Sequence, residues 1–130
     1  MRDRAWRIPE YRLVMKLADL AEIGIEPDEL DRILETADRP VLVDFWAPCC
    51  GACKLMAPSV LRLSQEKSSS LKVVTLNVET GQEVALQHNV ASLPTVILFK
   101  GRQEVKRLIG MKSYNNLVGE FEEILASVRD

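Results

Sequence analysis

Apolar residues at positions 11, 13, 14, 17, 20 and 21 recur at helical spacing and predict an amphipathic helix over 9–22, with Pro9 near its first turn. Residues 21–25 read equally as the end of that helix or as a short first strand. A second helix is expected over Pro27–Thr36, with acidic Asp28 and Glu29 in its first turn and Leu30, Ile33 and Leu34 on its buried face. Val41-Leu42-Val43-Asp44-Phe45-Trp46 is then a nearly unbroken apolar run, as a strand covered on both faces requires. A helix follows to about Lys67, with a kink expected at Pro58, which cannot donate to the carbonyl of Lys54. Ser68-Ser69-Ser70 breaks the periodicity.

The β-branched stretch 72–78 predicts another strand, and 82–88 a short helix. Segments 95–99 and 104–109 are strands joined through a turn at Gly101, so they pair antiparallel. Ser113 caps a final helix with Tyr114, Leu117, Val118, Phe121, Ile124, Leu125 and Val128 on its apolar face. Strand–helix–strand order implies parallel pairing, and the hairpin adds antiparallel strands. The class is α/β, with a mixed central sheet of four to five strands flanked by helices. Residues 1–20 form a helical extension and 21–130 a single domain.

The 130 residues are 47% hydrophobic, enough for one real core. A formal net charge of −2 gives no electrostatic footprint for nucleic acid or an anionic membrane. No apolar run reaches the roughly 20 residues that span a bilayer. The basic start is followed by no apolar signal region, so a cytoplasmic, reducing compartment is expected.

The three cysteines are Cys49, Cys50 and Cys53. So tight a cluster closes almost no chain, which points to chemistry rather than stapling. Cys50-Gly51-Ala52-Cys53 lies where a strand ends and a helix begins. Cysteines three apart sit one turn apart and can close a small ring. A helix N-terminus directs N–H groups and partial positive charge at the first sulfur, favouring its thiolate. Gly51 lets a partner chain approach. A zinc site also uses this spacing, but it usually needs a second ligand pair; the single histidine is His88 and there is no fourth cysteine.

The segment from Val41 to Lys54 resembles the thioredoxin family signature, as do Ala57-Pro58, Leu76-Asn77-Val78, Leu93-Pro94-Thr95, Phe99-Lys100 and Gly110. The resemblance spans roughly residues 23–128 and implies a thioredoxin fold. It matches Cys50 to an exposed attacking cysteine, Cys53 to a buried resolving one, Asp44 to a buried carboxylate and Pro94 to a cis-proline facing the sulfurs. Trp46, Gly51, Leu93 and Gly110 fall on its substrate-binding surface, and Lys54 and Pro58 also match. Burial of Asp44 in an apolar strand should raise its pKa, so that it can exchange protons with Cys53. Leu93 would offer its backbone to a substrate strand.

Three positions depart from the family pattern: Cys49 stands in place of Trp, Ala52 in place of Pro, and Thr75 in place of the Lys that commonly neighbours the buried Asp. Cys49 reads as a bystander thiol, or as a modulator that pairs with Cys50, Cys53 or a soft metal. The resemblance implies reduction of protein disulfides by a Cys50/Cys53 dithiol. It requires no cofactor or metal, uses a separate thioredoxin-reductase-like electron donor, and suits a monomer. The alternative is a redox-sensing, metal-binding or iron–sulfur-binding module docked to a dedicated partner.

Overall fold

The computed structural model describes residues 23–129, with side chains through 126. The expected extension over 1–20 and the helix over 9–22 lie outside the described residues. The four strands are β1 (Val41–Trp46), β2 (Lys72–Asn77), β3 (Thr95–Lys100) and β4 (Gln103–Ile109). The helices are α1 (Leu30–Thr36), α2 (Gly51–Glu66), α3 (Gln82–Gln87) and α4 (Tyr114–Arg129).

The sheet runs β2-β1-β3-β4. β1 is parallel to β2, whereas β3 is antiparallel to both β1 and β4. The β1–α2–β2 crossover explains the parallel pair, because a helix long enough to cover the sheet returns the chain in the same direction. Gly101, at a φ of +59°, makes the tight β3–β4 turn.

Alternation along β1 divides the core in two. Leu42 faces a cluster that includes Met56, Ala57, Val60 and Leu63 of α2 and Leu117, Phe121 and Leu125 of α4. Val41, Val43 and Phe45 face the other way, toward Leu30 and Leu34 of α1 and Ala85 of α3. Each fully buried side chain of this size contributes about 1.5–3 kcal/mol relative to exposure. Burial on both faces is why β1, β2 and β3 lack alternating polar residues.

Local structure settles details that periodicity leaves open. Of residues 21–25, the described ones, 23–25, form no strand: Gly24 makes one isolated parallel bridge to Thr75, and the sheet among the described residues has four strands. The segment is fixed by two hydrogen bonds, from Ile25 N–H to the Thr75 carbonyl at 2.9 Å and from Thr75 N–H to the Ile23 carbonyl at 2.9 Å. The helix expected from Pro27 opens as a 3₁₀ turn, Pro27–Glu29, whose start is closed by reciprocal bonds between Glu26 and Glu29. α2 contains Pro58 and ends at Glu66, with Lys67 as its C-cap. The Ser113 hydroxyl does cap α4, accepting from Asn116 N–H at 3.1 Å.

Candidate active site

β1 delivers the chain to the cysteines, and α2 starts on them. Cys50 is the N-cap residue of α2, in extended conformation, and its sulfur accepts from the Cys53 backbone N–H at 3.1 Å. Its own N–H donates to the Ala47 carbonyl at 3.1 Å, which fixes the turn between strand and helix. A sulfur so placed receives one of the helix's unpaired N–H groups and the positive end of its dipole. In the reduced state this favours the Cys50 thiolate. Cys50 and Cys53 are joined as a disulfide, with their Cα atoms 5.3 Å apart. Cys50 is partly exposed, whereas Cys53 is only 3% exposed. Cys49 is a free, exposed thiol in the preceding turn.

Asp44 shares the sheet face of Leu42, the face that α2 covers. Cys53 lies one helical turn before the buried pair Met56 and Ala57, so it looks into the same interlayer space. Asp44 is 2% exposed, and its Oδ1 has no hydrogen-bond partner among the described residues. Burial pushes its carboxyl up from 3.8 to about 7. The chain thus sets a buried carboxyl of raised pKa on the sheet face that the dithiol helix covers.

The Leu93–Pro94 peptide bond is cis. Pro94 is buried, and its carbonyl accepts from Gly110 N–H at 2.8 Å. Gly110 has a φ of +93°, a conformation that side-chain-bearing residues rarely adopt. Trp46, half-buried, ends β1, and its carbonyl accepts from Val78 N–H at 2.8 Å. Gly51 opens α2 at the surface, and a Cβ built there would meet no atom within 4 Å. The fold itself therefore does not demand glycine at that position. Lys54 is exposed.

Several neighbours of the site were not legible in the sequence. Ile109 and Met111 flank Gly110 and remain 56% and 48% exposed. Two apolar residues astride a turn glycine were the available signal. Lys112 N–H donates to the buried Met56 sulfur at 3.4 Å, which ties this loop to α2. An apolar groove of about 330 Å³ runs beside Leu93, between α3 and the loop that follows it. A larger cavity of about 600 Å³ lies at the opposite end of β1, around Arg39, Ser70 and Lys100, away from the sulfurs. His88, expected at a surface or helix end, is the C-cap of α3, but its ring also packs against Phe45 and Phe99. That burial lowers its pKa.

A cysteine pair at a helix N-terminus, over a buried carboxyl on a mixed sheet, defines a thiol–disulfide oxidoreductase. The thioredoxin family profile matches residues 22–123. A thioredoxin of Mycobacterium bovis is 41% identical over 93 residues, covering 72% of this chain and 80% of that protein. A Synechocystis thioredoxin is 37% identical over 106 residues, covering 82% and 94%. A bifunctional thioredoxin reductase/thioredoxin of Mycobacterium leprae is 40% identical over 93 residues, of which the match spans 72% of this chain and 20% of that longer protein. This chain belongs to the thioredoxin family. Its activity is that of a protein-disulfide reductase, and the comparisons favour this over a dedicated sensing or metal-binding module. Among the described residues no helix is long and apolar enough to cross a membrane.

Proposed function

We propose that Cys50 is the attacking thiol, Cys53 the resolving thiol and Asp44 the proton carrier between them and solvent. The observation that carries this reading is the asymmetry of the pair, with one sulfur at the surface on a helix N-terminus and the other buried. The Cys50 thiolate attacks a substrate disulfide, forming a mixed disulfide and releasing one substrate sulfur as thiolate. Asp44 accepts the Cys53 proton. The Cys53 thiolate then attacks the Cys50 sulfur, which releases the second substrate thiolate and leaves Cys50–Cys53 oxidised. Two electrons pass from the dithiol to the substrate. An Asp44 pKa of about 7 suits it to take and return a proton near neutral pH.

Substrate docks on the rim above the sulfurs. Leu93, beside Pro94, offers backbone groups to an extended segment, and Trp46 and Gly110 border it. The open space at Gly51 lets substrate backbone approach Cys50. Protein disulfides are the substrates. A separate thioredoxin-reductase-like donor restores the dithiol, a pairing consistent with the bifunctional mycobacterial relative. The chain works as a monomer in the cytoplasm, with residues 1–20 an extension to a domain over 21–130, and Cys49 is a bystander. A Cys53→Ser trap tests the roles. This variant should accumulate mixed disulfides through Cys50 to many protein partners; capture through Cys49 would contradict the assignment.

A further inference from the structure

Arg107 on β4 reaches across to the far end of α3. Its Nη1 donates to the Asn89 carbonyl at 3.0 Å and its Nη2 to the His88 carbonyl at 2.6 Å. Glu104 holds the other side of the guanidinium, accepting from Nε and Nη2 at 2.8 Å each. The Arg107 side chain is 22% exposed, so this fork is largely shielded. The two carbonyls belong to a helix C-terminus, where cationic donors satisfy otherwise unpaired groups. Asn89 takes the left-handed conformation there, at a φ of +57°, so the chain turns sharply at the point Arg107 grips.

That turn is the root of the loop that carries Leu93 and Pro94. The loop's far end is held separately: the Thr95 hydroxyl donates to the Ser92 carbonyl at 2.6 Å, and Gly110 N–H donates to the Pro94 carbonyl at 2.8 Å. Val90 and Ala91 lie between the two anchorages and form part of the apolar groove's wall. Without the Arg107 fork, two carbonyls lose their donors, and the root keeps only the backbone bonds from Asn89 N–H to the Leu86 carbonyl at 3.0 Å and from Val90 N–H to the Ala85 carbonyl at 2.9 Å.

We infer that Arg107 is a positioning residue for protein-disulfide reduction, fixing the docking loop so that Leu93 meets the substrate backbone beside the sulfurs. It acts through the loop and touches neither sulfur nor substrate. The inference rests on the docking role proposed above for Leu93. Arg107 therefore matters for substrates that need docking and not for small disulfides that need only Cys50.

The test compares second-order rates of the pre-reduced full chain with insulin and with hydroxyethyl disulfide. Arg107→Ala should slow the insulin reaction about tenfold, the effect of losing a charge-assisted hydrogen-bonded anchor, while the small-disulfide rate stays at the wild-type value. Arg107→Lys, which keeps the charge but not the fork, should fall between the two. It also carries the test if the alanine variant does not fold. Equal loss with both disulfides, or no loss with either, overturns the inference. Failure of the wild-type chain to reduce insulin would overturn the docking reading beneath it instead.

Discussion

Asp44 and Thr75 are register partners on the parallel strands β1 and β2, 2% and 1% exposed. Side chains in register on adjacent parallel strands share a face, so the residue beside the buried carboxyl is a hydroxyl and not a cation. Burial alone raises the Asp44 pKa, to about 7, with no positive charge offsetting it.

This has a signed consequence for stability. The folded chain holds the Asp44 proton more tightly than the unfolded chain, whose carboxyl titrates at the ordinary 3.8. The Asp44 contribution to stability is therefore fully present below about pH 4, is lost as pH rises from about 4 to about 7, and changes no further above that. A shift from 3.8 to about 7 corresponds to at most on the order of 4 kcal/mol. Asp44→Asn should be more stable than wild type at pH 8 by about 2–4 kcal/mol and should lose most of this slope. Urea unfolding at pH 5 and pH 8 checks it; an unchanged slope in the variant would show that Asp44 is not the buried titrating group.

Cys49 is exposed and lies outside the disulfide. Cys49→Ser should leave stability within about 0.5 kcal/mol, as surface substitutions usually do, and should reduce insulin at a rate close to wild type. Mass mapping of the oxidised wild-type protein should find Cys50–Cys53 as the internal disulfide. A substantial fraction of Cys49–Cys53 would make Cys49 a participant.

The fold was legible wherever one residue pattern had one structural meaning. The apolar run of β1 could only be a strand covered on both sides, and Leu117, Phe121 and Leu125 marked the buried stripe of α4. The edge segment at Gly24 was not legible, because a single bridge leaves no periodicity. At the site, the cysteines and Asp44 stand out chemically: a carboxylate within an apolar strand is conspicuous in any sequence. Arg107 is not. A charged residue on an edge strand reads as solvated surface, and the two carbonyls it holds lie 18 and 19 residues earlier in the chain. His88 is hidden similarly, since its ring contacts with Phe45 and Phe99 exist only once α3 packs on the sheet. Local patterns reveal elements and reactive groups, while the contacts that hold a loop in place arise from tertiary packing.

The central claim is that Cys50 performs the attack. Insulin reduction driven by dithiothreitol, followed by turbidity, tests it with wild type and Cys50→Ser side by side. Wild type should accelerate precipitation, and Cys50→Ser should fall to the uncatalysed rate, since no other sulfur sits partly exposed on the N-terminus of α2. Acceleration by Cys50→Ser equal to that of wild type would contradict the account.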